Sequence, residues 1–235
     1  MIIKNTPQKT LAKAVELKGI GLHSGKAIDL VLKPAAADCG FVFVRTDLDP
    51  QVEIPALAQY VSKTDRGTTL SVEGVDVQTT EHVLAALVGC GINNCRIELN
   101  GAEVPILDGS SKPFVEAIQT AGIQDQEALQ EIFVVQENIH ITDEASGSEI
   151  LIVPAESTSL TVLIDFETQV LGTQNAVLHK MEDFPSEIAS SRTFSFLHEL
   201  ETLLDQNLIK GGDLNNAIVY VNKTLDKETM DRLKK

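Results

Sequence analysis

The chain has 235 residues, 43% of them hydrophobic and 23% charged, and carries a formal net charge of −15 at pH 7. That length supports one large domain or two of ordinary size, each with its own core. The acidity argues against nucleic acid as the main partner, and no apolar run reaches membrane-spanning length. Met1-Ile2-Ile3-Lys4-Asn5 lacks the apolar block of a secretory signal. Cys39, Cys90 and Cys95 are odd in number and show no CxxC spacing, so they read as reduced core residues of a cytoplasmic protein. An anionic substrate would need a local exception to the negative field, made from helix-start amides or a few Lys and Arg.

Gln8–Leu17 alternates and predicts a strand. In Gly19-Ile20-Gly21-Leu22-His23-Ser24-Gly25 three glycines within seven residues force a bend, with Leu22 and His23 at its tip. On its own, His23 reads equally well as a plain turn residue. Ala27–Leu32 resumes a strand that Pro34 breaks, and Phe41–Arg45 is another. A loop through Val52–Ala56 leads to Thr68–Val72, which turns at Glu73-Gly74 into Val75–Val77.

The stretch that follows organises the chain. Val83, Leu84, Leu87 and Val88 share one face of a short helix that Gly89 and Gly91 close, and Thr79 or Thr80 is placed to cap its first turn. Glu81 and His82 therefore stand side by side at a helix start. A metal-dependent hydrolase uses such a pair, the imidazole binding Zn²⁺ and the carboxylate taking a proton from water. On pattern alone such a pair is more often just a capping group, and Ala86 four residues after His82 rules out the HExxH arrangement.

Asn94–Leu99 reads as a strand, Val104–Ser110 as a turn, and Pro113 begins a second helix, where its missing amide costs least. Between Gly122 and Gln130 the composition shifts to Gln, Asp, Glu and Ala, which sets a boundary between domains 1–126 and 127–235. Leu30-Val31-Leu32-Lys33-Pro34-Ala35 before Phe41-Val42-Phe43 is echoed by Leu151-Ile152-Val153-Pro154-Ala155 before Leu160–Leu163, as if one hairpin were repeated. Two α+β domains of similar topology are the expectation, each a small, mostly antiparallel sheet packed on helices, with the site between them. Later come Arg192-Thr193-Phe194, a helix over Leu197–Gln206, Gly211-Gly212 and a strand over Ala217–Val221. The double glycine suits backbone approach to a ligand or a helix C-cap, and Arg192 and Lys210 suit phosphate counter-charges or surface ion pairs.

The glycine turn, Thr79-Thr80-Glu81-His82, Val104–Ser110, Arg192-Thr193-Phe194 and Gly211-Gly212 together resemble the zinc-dependent UDP-3-O-acyl-N-acetylglucosamine deacetylases of lipid A synthesis. Their order and spacing match along the whole chain. The resemblance implies that Glu81 is the general base, His82 a zinc ligand and Thr193 the hydroxyl steadying the oxyanion. It implies that Leu22 and His23 line the site and acyl passage, and that Phe194 contacts the nucleotide or sugar beside Arg192, Lys210, Gly211 and Gly212. The small-molecule partner is then a UDP-acyl-sugar, and some relatives continue into a fused hydroxyacyl dehydratase domain. The family's other zinc ligands come from a later His-Lys-x-Leu-Asp-x-x-Gly-Asp stretch that the 235 residues do not contain. The expectation is a second domain incomplete at that point, with weak zinc binding by a lone His82. The alternative is a fragment that binds nucleotide-sugar or acyl chain without metal.

Overall fold

The computed structural model describes residues 2–168, 171–197, 199 and 209–221. Chain order begins with β1 (Ile2–Leu11), β2 (Val15–Ile20), β3 (Ala27–Pro34), β4 (Phe41–Arg45) and β5 (Val52–Pro55). There follow β6 (Val61–Lys63), β7 (Thr69–Val72), β8 (Val75–Val77), α1 (Glu81–Gly89), β9 (Cys95–Leu99), α2 (Lys112–Ala121) and β10 (Ile123–Phe133). Five of these strands make one sheet in the order β2-β3-β9-β4-β5, and β6, β7 and β8 make a smaller one. Alternation directs Ile28, Leu30 and Leu32 of β3 inward, against Val83, Ala86 and Leu87 of α1 and Phe114, Val115 and Ile118 of α2. Phe43 and Phe114 are the largest wholly buried side chains of that core. The fold is α+β with few helices and small sheets, as expected.

Three local expectations change. The strand foreseen over Gln8–Leu17 is two strands, because the chain leaves β1 at Ala12, whose amide donates to the Gly122 carbonyl at 2.9 Å, and enters a different sheet. Val52–Pro55 is a strand on the sheet edge, not a loop, since it pairs antiparallel with β4. The polar stretch after Gly122 is the long strand β10, paired antiparallel with β1 from Leu11↔Ile123 to Ile2↔Phe133. Its alternate residues are only half-buried, so a polar composition hides the period of two. The 126/127 division falls within this strand.

Beyond it, β11 (Ile139–Asp143) pairs with β12 (Ser148–Ile152), and β13 (Leu160–Asp165) with β14 (Thr173–Leu178), as antiparallel ribbons. A short helix α3 (Phe184–Glu187) lays Phe184 against α1, and β15 (Phe194–Phe196) runs parallel to β16 (Ile218–Tyr220). The echoed Pro-Ala bends are not hairpin turns. Strands β3 and β4 do not pair, because β9 lies between them, and β12 and β13 belong to separate ribbons. Most of the helix expected over Leu197–Gln206, and the closing stretch 227–235, lie outside the described residues. Among the described residues no helix is long and apolar enough to cross a membrane.

Candidate active site

The hairpin of β7 and β8 delivers the chain to α1 through Thr79, which holds a left-handed backbone conformation at φ 58°. A β-branched residue adopts that conformation only where its surroundings enforce it. Thr80 occupies the N-cap position with helical backbone angles and makes no side-chain cap bond. The expected caps are thus not formed, because a hydroxyl on an already helical residue is not aimed at the orphan amides. Instead the Thr80 hydroxyl donates to the Thr68 carbonyl at 3.2 Å, and the Thr79 hydroxyl to Glu103 Oε1 at 3.3 Å.

Glu81 is half-buried, and its Oε2 accepts the Thr68 amide proton at 2.9 Å. That bond fixes the carboxylate against the start of β7, on the same helix end as His82. Burial pushes the His82 imidazole below its ordinary pKa of 6.5, while the carboxylates of Glu81 and Asp108 pull it partly back. Burial prevails, and the ring is neutral at pH 7, the form with a lone pair to offer. Asp108 Oδ1 is itself held by the Ser110 amide at 2.9 Å and hydroxyl at 2.8 Å.

The second part of the chain reaches this place through the same turn. Thr193 donates its amide to the Gly109 carbonyl at 2.7 Å and accepts the Ile218 amide at 3.0 Å. Gly109 has φ 82°, and a Cβ there would overlap the Asn216 carbonyl oxygen, so only glycine admits the contact. Arg192 donates from Nε to the Asp108 carbonyl at 2.7 Å and from a terminal nitrogen to the Leu214 carbonyl at 3.3 Å. Two of its donors thus clasp backbone. Phe194 stacks edge-on with Phe166, Phe196 and Tyr220 at centroid distances of 5.4, 5.9 and 5.5 Å.

The Leu22–His23 turn meets the double glycine. The Gly211 amide donates to the Leu22 carbonyl at 3.0 Å, and Gly211 lies so near Gly21 that any Cβ would strike the Gly21 carbonyl. Lys210 is exposed, with its amide 3.5 Å from the His23 carbonyl, and Gly212 sits beside the Leu22 side chain. Glu81, His82, Asp108 and Thr193 therefore gather around one turn, while Leu22, His23, Lys210, Gly211 and Gly212 form an adjoining contact. Among the described residues no group of three His, Cys, Asp or Glu side chains could hold a metal ion. One imidazole with carboxylates beside it falls short of a zinc site, which needs three protein ligands.

A family model described as LpxC, UDP-3-O-acyl N-acetylglycosamine deacetylase, matches residues 8–234. The chain belongs to this family. A UDP-3-O-acyl-N-acetylglucosamine deacetylase of Myxococcus xanthus is 46% identical over 213 residues, covering 90% of this chain and 67% of that protein. A bifunctional enzyme LpxC/FabZ of Bacteroides thetaiotaomicron is 43% identical over 226 residues, and one of Chlorobaculum tepidum is 44% identical over 227. Each of those matches covers 96% of this chain, which spans about half (49%) of the bifunctional relatives. Reading the sequence of this LpxC-family chain missed Thr68 and Glu103, whose contacts are with residues distant in sequence. Asp108 lies inside the predicted Val104–Ser110 turn. An acid isolated beside the apolar run Val104-Pro105-Ile106-Leu107 was the available signal.

Proposed function

We propose that this chain forms the base-bearing part of a deacetylase that removes the N-acetyl group of UDP-3-O-acyl-N-acetylglucosamine, the committed step of lipid A synthesis. The observation that carries the reading is the gathering of Glu81, His82 and Thr193 around the Asp108–Ser110 turn. Water attacks the acetamide carbonyl; Glu81 takes its proton and returns it to the departing amine as the C–N bond breaks, leaving acetate and a free amino sugar. The Thr193 hydroxyl donates to the oxyanion formed on the way. Leu22 and His23 line the acyl chain, and Phe194 presents a ring face to the nucleotide or sugar. Lys210 is the exposed cation of the adjoining contact and Arg192 a partly engaged one, which fits a UDP-bearing substrate better at Lys210. Zinc is the family's cofactor; His82 would be one ligand, with the others outside the described residues. The free cysteines Cys39, Cys90 and Cys95 support a cytoplasmic setting, and the bifunctional relatives support fusion to a dehydratase in the complete protein.

Acetate release from the UDP-acyl-sugar by the complete, zinc-supplied protein tests this. Glu81→Gln should leave substrate affinity nearly unchanged and lower kcat by about 10²–10⁴. Near-normal turnover of that variant would overturn the assignment. The short donor set favours a second reading, a nucleotide-sugar or acyl-chain binder without hydrolysis. That reading predicts binding by calorimetry with no acetate released by wild type.

A further inference from the structure

Glu103 is 1% exposed, and it lies in the step from β9 to the Val104–Ser110 turn. Its backbone is fastened to the residue before Thr79: Val104 donates to the Gln78 carbonyl at 3.0 Å and Gln78 to the Ala102 carbonyl at 2.9 Å. From that fixed base its carboxylate faces two ways. Oε1 accepts the His23 amide at 2.9 Å and the Thr79 hydroxyl at 3.3 Å, and Oε2 accepts the Ser24 amide at 2.9 Å. These donors are neutral. Burying a carboxyl group is costly, and backbone amides aimed at both oxygens offset that cost. Gly21 completes the fit, since a Cβ there would overlap Glu103 Oε2.

We propose that Glu103 is a positioning residue of the site. Its carboxylate holds the Leu22–Ser24 turn at a set distance from the Thr79–His82 segment, and so sets the acyl-lining turn against the base. The inference rests on the deacetylase reading for its catalytic consequence only; the mechanical part stands on the three hydrogen bonds to the carboxylate. The left-handed Thr79 is the residue whose hydroxyl meets this carboxylate. The turn in its own right holds Gly211, so the carboxylate also governs where the double-glycine loop sits.

Amide exchange of the 235-residue chain, followed residue by residue, is the test. Glu103→Gln keeps the shape but turns an NH₂ toward an amide donor. The His23 and Ser24 amides should then exchange about tenfold faster or more, while Ile97 and Leu99 in β9 keep their rates. Thr79→Val, which keeps the β-branch and loses only the hydroxyl, should raise exchange at His23 and Ser24 by a smaller factor. If Glu103→Gln does not fold, Thr79→Val alone decides. Rates at His23 and Ser24 that stay at wild type, or that rise only in step with Ile97 and Leu99, overturn the inference. In the complete enzyme both variants should lower kcat/KM without moving its pH profile. A wild-type enzyme that releases no acetate would sink the deacetylase reading and leave the exchange result standing.

Discussion

The two parts of the chain share a phrase, strand then Pro-Ala then strand, and give it different company. In the first, the strands β3 and β4 flank β9, which pairs with both and drives Leu30, Leu32, Phe43, Ile97 and Leu99 into one core. In the second, no described strand lies between β12 and β13, and Ile150, Leu151, Leu160 and Leu163 are exposed. The apolar residues of these four strands are comparable in kind, so hydrophobicity alone does not decide burial; the neighbouring strand does. A two-stranded ribbon with both faces wet is marginal by itself.

Amide exchange should separate the parts most widely. Amides paired within β11–β12 and β13–β14 should exchange at least about 10³-fold faster than those of β3, β9 and β4, because ribbons open locally and the sheet only globally. Equal protection would mean that something covers the ribbons. Core truncation comes next: Phe43→Ala or Phe114→Ala should cost about 3–5 kcal/mol in urea unfolding, whereas Leu163→Ala should stay within about 0.5 kcal/mol.

The seam between the parts ranks third. Gly109→Ala puts a side chain at φ 82° and into the Asn216 carbonyl, and should cost about 1–3 kcal/mol for the backbone conformation before any displacement. Gly40→Ala, at φ 65° with open space around it, supplies the control for conformation without contact. A difference between the two in thermal unfolding measures how firmly the parts are joined; equal costs would say that the seam yields freely.

Acid sensitivity is the smallest effect and belongs to the first part. Hydrogen bonds from the Arg45 guanidinium hold the Asp47 carboxyl below its usual 3.8. The folded state binds that proton less readily than the unfolded state, so the contribution is complete above 3.8 and disappears as pH falls through the folded value. With Asp47 partly exposed, it should amount to under about 1 kcal/mol. Stability profiles of wild type and Asp47→Asn should therefore differ at neutral pH and converge in acid.

Much of this was legible beforehand. Helix α1 followed from apolar spacing closed by Gly89, α2 from Pro113 ahead of Phe114, Val115 and Ile118, and the β7–β8 hairpin from Glu73-Gly74. What escaped were relations between distant residues. Nothing local shows that β9 inserts between β3 and β4, that β10 is a strand, or that Glu103 reaches His23, Ser24 and Thr79. The same holds at the site: adjacency gave the Glu81–His82 pair, whereas the clasp of Arg192 on the Asp108 carbonyl depends on a fold 84 residues long.

The pairing of β1 with β10 also imposes a wait on the newborn chain. The partner of Leu11 is Ile123 and that of Ile2 is Phe133, so the first strand leaves the ribosome well over a hundred residues before it can be matched. At synthesis rates of roughly 5–20 residues per second, its edge stays open for about 6–25 seconds. An open edge of that age invites pairing with another nascent chain. Pro7 and Lys9 are suited to that interval, a missing amide and a charge, and Pro7 sits where the register with β10 slips. The strand is thereby guarded during translation by the residues that make it look least like a strand.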